Sequence, residues 1–123
     1  MKINSLNVLI NQTFFLDKKF YFISGNEKTL MEKIKSIIVE GYKLKENAQI
    51  KNIDTISDFV DEVGLFGDKN IYIVYGCKGL DKEALNNIRH SQSNFIFLQE
   101  NSHKIKKVKN LFSLDRDSYL IDC

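Results

Sequence analysis

Apolar positions along the chain fall into two rhythms. Short solid runs read as buried strands, and stripes spaced three and four residues apart read as helices packed over them. Asn4 to Asn11 predicts a short helix, with Asn4 or Ser5 as cap and Leu6, Leu9 and Ile10 on one face. Phe20 to Ser24 is aromatic and apolar apart from its final serine and predicts a buried strand ending at Gly25. Thr29 to Gly41 places Leu30, Ile34, Ile37 and Ile38 at helical spacing, with Gly41 as the expected C-terminal stop. Gln49 to Ile53 alternates as a second strand. A helix from Thr55, capped by Asp54 or Thr55, carries the stripe Ile56, Phe59, Val60 and Val63.

The second half repeats the alternation. Ile71 to Tyr75 is the most strand-like run in the chain, and Asp81 caps a helix reaching Arg89. Phe95 to Leu98 is a further apolar strand. Ser102 caps a basic helix whose Ile105, Val108, Leu111 and Phe112 face inward, and Tyr119 to Ile121 is the last strand. Strands alternating with helices predict a three-layer α/β domain with a mainly parallel, five-stranded sheet. All 123 residues belong to that one domain. A chain ending directly on a strand is what one domain of a larger parent would give.

Composition narrows the class. Apolar residues at 43% and charged residues at 28% describe a folded protein, not a disordered one. A net charge of +2 does not by itself imply nucleic-acid binding. No run has the length of a membrane span, and the N-terminus has no signal-peptide pattern, so the cytoplasm is expected. Cys77 and Cys123 have neither metal spacing nor a disulfide framework, and read as small buried thiols.

Candidate chemistry is sparse. Ser24-Gly-Asn-Glu-Lys-Thr29 follows the first strand as a phosphate loop would, with Gly25, Lys28 and Thr29 in the relevant roles. Only two residues separate Gly25 from Lys28, and Glu27 takes the place of the glycine needed for close approach to phosphate. The loop is therefore degenerate. Gln99-Glu100 resembles a magnesium-binding acidic pair, but a glutamine cannot serve as a carboxylate, and the pair reads as polar rim. His90 and His103 lack partners at useful spacing and read as surface residues. Lys104, Lys106, Lys107 and Lys109 form a basic helix face, either solvated or contacting DNA or an acidic partner. No catalytic constellation, metal site or cofactor is expected.

One stretch stands apart. Leu65 and Phe66 sit between Gly64 and Gly67, at a turn joining a helix to the strand Ile71 to Tyr75. On composition the pair closes the core beneath the turn; on a surface loop it would be presented to a partner.

Three features together carry a resemblance. They are Phe20-Tyr-Phe-Ile-Ser-Gly-Asn-Glu running into Leu30 and its helix, Gly64-Leu-Phe-Gly-Asp-Lys-Asn-Ile-Tyr-Ile-Val, and Phe95 to Leu98 followed by the lysine-rich helix and the strand Tyr119 to Ile121. The chain resembles the N-terminal domain of the delta subunit of the bacterial DNA polymerase III clamp loader. Gly64 stands where that family's turn has serine. The resemblance implies an AAA+-like (P-loop NTPase-like) domain that has lost ATP binding. It acts within a replication assembly, a DNA-directed DNA polymerase (nucleotidyltransferase) holoenzyme, without being an enzyme itself. It implies that Leu65 and Phe66 insert into the sliding clamp (beta subunit), with Phe59, Val63, Gly64 and Gly67 in support, and help open the ring for loading onto primed DNA. The family's lid and collar domains, which assemble it with the other loader subunits, have no counterpart in this sequence, so a monomer is expected. Two other readings compete. One is a P-loop nucleotide-binding enzyme or switch using Lys28 and Thr29; the other is a DNA-binding module using Lys104 to Lys109.

Overall fold

The computed structural model of the chain describes residues 2–11, 16–59, 69–102 and 105–123. The chain enters through a three-residue strand, β1 (Lys2–Asn4), and a short helix, α1 (Ser5–Ile10), where Asn4 Oδ1 accepts a hydrogen bond from Leu6 N at 2.8 Å. There follow β2 (Phe20–Gly25), α2 (Lys28–Glu46), β3 (Gln49–Ile53) and a 3₁₀ turn at Ile56–Asp58. The second half comprises β4 (Asn70–Tyr75), α3 (Lys82–Arg89), β5 (Asn94–Glu100), α4 (Ile105–Leu114) and β6 (Ser118–Asp122).

All six strands are parallel and lie in the order β1-β6-β2-β5-β4-β3. The sheet thus has one strand more than the sequence predicts. Lys2–Asn4 offers a single apolar residue, too little for a periodic signal, and pairs only because β6 presents an open edge.

Because the sheet is covered on both faces, its central strands are apolar at consecutive positions. Tyr21, Ile23, Ile71, Ile73, Ile96, Leu98 and Ile121 face α1 and α2. Phe20, Phe22, Tyr72, Val74, Phe95, Phe97 and Leu120 face the 3₁₀ turn, α3 and α4. The second face is rich in rings: Phe22 stacks on Phe112 with centroids 4.7 Å apart, and Tyr72 stacks on Phe95 at 5.5 Å. Connections running one way along the sheet carry their helices on one face, and those running back carry them on the other. That is what right-handed crossovers require.

Two helix boundaries differ from the sequence reading. α2 does not stop at Gly41 but runs on to Glu46 and ends at Asn47, in the left-handed region with φ 53°. Gly41 is instead the point at which Leu16 packs against the helix. The helix expected from Thr55 is a single 3₁₀ turn, after which Phe59 is extended, with φ −69° and ψ 128°. Its apolar stripe therefore does not lie along one helix: Phe59 turns inward, its ring 4.8 Å from Tyr72 and 5.1 Å from Phe95. Val60 and Val63 lie outside the described residues. Among the described residues no helix is long and apolar enough to cross a membrane.

Candidate functional site

At the carboxyl end of the sheet, neighbouring strands send the chain in opposite directions. β2 turns into α2 on one face, while β5 next to it leads to α4 on the other. Such a parting of connections opens a crevice, the usual place for a ligand in a doubly wound sheet. Here it is a cleft of about 480 Å³ with a floor of Met31 and Leu98 and walls from Lys28, Glu32, Tyr75, Gln99 and Glu100.

The turn after β2, where the sequence suggests a degenerate phosphate loop, is held by backbone on both sides. Ser24 carbonyl accepts a hydrogen bond from Cys123 N at 2.7 Å, and Gly25 carbonyl accepts one from Asn101 N at 3.0 Å. Gly25 has φ 148°, and a Cβ there would collide with the carbonyl of Cys123. Asn26 and Glu27 alone bridge from β2 to the start of α2. Lys28 Nζ reaches across the cleft to Glu100 at 3.0 Å. Thr29 is exposed in the first turn of α2. The cleft wall therefore sets one ammonium, Lys28, against the carboxylates of Glu32 and Glu100.

The remaining wall is tied together by polar contacts. Tyr75 Oη donates to Glu32 at 3.4 Å, and Lys35 donates to Glu32 at 2.5 Å and to Tyr75 Oη at 3.3 Å. Burial opposes the charge on Lys35, but these hydrogen bonds outweigh it and raise its pKa. Gln99 Oε1 accepts from Cys77 N at 3.1 Å and its amide donates to Glu100 carbonyl at 3.0 Å, the rim role expected of it. Sequence reading missed Glu32, Lys35 and Tyr75. Their signals were faint: an i, i+3 charge pair on α2, and the last residue of a strand before a glycine.

The other expected site residues are scattered. Val63, Gly64, Leu65, Phe66 and Gly67 lie outside the described residues, as do Lys104 and His103. Phe59, expected to support the Leu-Phe turn from a helix, is half-buried on the sheet instead. Of the basic helix face, Lys106 and Lys107 are exposed, whereas Lys109 turns back to Asp122 at 2.9 Å. Lys2 pairs with the same carboxylate at 3.1 Å. Burial opposes ionisation of Asp122, but the two lysines outweigh it and hold the carboxyl below its ordinary value. His90 is exposed at the end of α3.

Both cysteines are free and half-buried, less deeply than the sequence reading implied. Burial raises the pKa of the Cys77 thiol, and burial together with Asp122 pushes Cys123 up to about 11. Neither is a thiolate at neutral pH, the form that attacks electrophiles or binds metal.

No protein-family model matches the chain, and no curated protein matches it.

Proposed function

We propose that the chain is a clamp-binding domain of the delta type, an AAA+-like unit that grips a sliding clamp and performs no catalysis. The observation that carries this reading is the state of the switch-point crevice. Set aside the short edge strand β1, and the domain is a five-stranded parallel sheet with helices on both faces. That is the scaffold on which a phosphate loop would follow β2. Here the loop position is pinned between Cys123 and Asn101, Lys28 is spent on Glu100, and two carboxylates face the space a polyphosphate would need. A parallel α/β sheet whose switch-point crevice offers a polyphosphate no free cradle fits a subunit that acts by binding.

In this reading Leu65 and Phe66 anchor the clamp, from the connection between the 3₁₀ turn and β4. The partners are the ring-shaped clamp and, in a complete loader, the neighbouring subunits and primed DNA. The compartment is the cytoplasm. Burying a leucine and a phenylalanine contributes roughly 1.5–3 kcal/mol each, enough for a pair of interface hot spots.

Calorimetry of the chain with its cognate clamp tests the proposal. Binding that falls at least a hundredfold in the Leu65→Ala/Phe66→Ala variant is expected, since about 3 kcal/mol, the low end for the pair, already exceeds that ratio. A folded wild-type chain that ignores the clamp, or a double variant that binds unchanged, defeats it. Binding of ATP with magnesium would favour the nucleotide-switch reading instead.

A further inference from the structure

On the face of the sheet opposite α2, a groove of about 230 Å³ runs between α3 and α4. Leu85 is buried beneath it, Leu111 is partly buried in its wall, and Leu114 stands 87% exposed at its edge. Arg89, at the end of α3, pairs with Asp115, just past the end of α4, at 2.8 Å. The two helices therefore run in the same direction, with their C-termini at that end of the groove and their N-termini at the other.

The N-terminal end is basic. Lys82, Lys106 and Lys107 are all exposed there, and none forms an ion pair among the described residues. Lys107 lies four residues before Leu111 and seven before Leu114, on the same helical stripe. The acids nearest in sequence flank Lys82: Asp81 is occupied in capping α3, accepting from Ala84 N at 2.7 Å, and Glu83 is exposed in the first turn, so the lysines keep the excess of charge at this end. One groove thus runs from a lysine-rich end with two helix N-termini to an end where Leu114 stands uncovered beside the Arg89–Asp115 pair.

We propose that this groove docks a peptide segment of a partner protein that carries carboxylates at one end and leucine-like side chains one turn further on. The carboxylates meet Lys82 and Lys107, and the apolar side chains cover Leu111 and Leu114. Charge complementarity selects this occupant. A second copy of the chain, docked two-fold on the same groove, would offer the lysine end only Asp115 as a lining carboxylate, and Asp115 is already paired with Arg89. A DNA backbone would be held by the lysines but would leave Leu114 uncovered.

The test uses a labelled synthetic amphipathic peptide with a glutamate-rich first turn and two leucines one turn apart, with anisotropy as the readout. Binding is expected to weaken about tenfold in Leu114→Ser, the size of effect expected for uncovering one leucine, and comparably in Lys107→Glu. Both positions are exposed, so thermal unfolding of each variant should match wild type. A peptide with lysines in place of the glutamates should not bind. The proposal is overturned by an acidic peptide that fails to bind or binds both variants equally. It is also overturned by sedimentation showing a dimer that Leu114→Ser dissolves, or by duplex DNA that displaces the peptide.

Discussion

The backbone carbonyl of Cys123 occupies the space where Gly25 would carry a side chain. With φ 148°, Gly25 also has a conformation that L residues rarely adopt. Strain and collision act together, and the obstacle is backbone tied in place by Cys123 N donating to Ser24 carbonyl at 2.7 Å. Gly25→Ala should therefore destabilise the fold by about 2–4 kcal/mol, read as a lowered urea midpoint. A midpoint within error of wild type would show that the end of β6 does not hold this turn.

A second prediction concerns the buried hydroxyl chain beneath α2. Tyr42 Oη donates to Lys18 carbonyl at 3.0 Å and lies 2.7 Å from Tyr21 Oη. Burial raises both pKa values, that of Tyr42 to about 12, so both hydroxyls keep their protons through the neutral range. Tyr42→Phe leaves Tyr21 without this acceptor and should cost about 1–2 kcal/mol. The Tyr21→Phe/Tyr42→Phe double variant should cost less than the sum of the singles, because one bond is counted in both. Strict additivity in denaturant melts would refute the coupling.

Gly41 gives a case in which two terms oppose. Alanine within a helix is favoured over glycine by about 1 kcal/mol, yet its Cβ would stand 2.5 Å from Leu16 Cδ1. Displacing a packed side chain costs about 1–3 kcal/mol. Gly41→Ala should thus destabilise wild type but stabilise a Leu16→Ala background by about 1 kcal/mol. The same sign in both backgrounds would rule out the Leu16 contact as the reason for the glycine.

Asp122 sets part of the acid limit. Its folded carboxyl titrates below its ordinary value of about 3.9 because Lys109 and Lys2 outweigh its burial. The unfolded chain therefore takes up the proton first, and stability from this group is complete above about pH 5 and lost as pH falls through the folded pKa. Asp122→Asn should lower stability at pH 7 and converge with wild type near pH 2. A constant difference at both pH values, measured by urea titration, would show that ionisation is not what the lysines stabilise.

Strands were legible wherever the chain is aromatic or apolar at nearly every position. Phe20 to Ser24, Ile71 to Tyr75, Phe95 to Leu98 and Tyr119 to Ile121 are all strands, because burial on two faces leaves no polar position to blur the pattern. Asp81 caps α3 as expected, since a capping side chain acts within a few residues of itself. The errors came where a local signal had a distant competitor. Gly41 reads as a helix stop until Leu16 needs its space. The stripe from Ile56 reads as a helix until Phe59 finds Tyr72 and Phe95. Of the candidate site, the shortness of the turn at Gly25 was visible in the sequence, whereas the pairing of Lys28 with Glu100 joins residues far apart in the chain and was not.

The sequence by itself determined that this protein is α/β, where four of its central strands lie, and that only two residues separate Gly25 from Lys28. These properties follow from burial and backbone reach, which are written in neighbouring residues. Only the tertiary structure decided that β6 lies between β1 and β2 and that its end abuts Gly25. It also decided that α3 and α4 lie parallel with a basic and apolar groove between them. Each of these depends on which distant surfaces meet, and no local pattern encodes that choice.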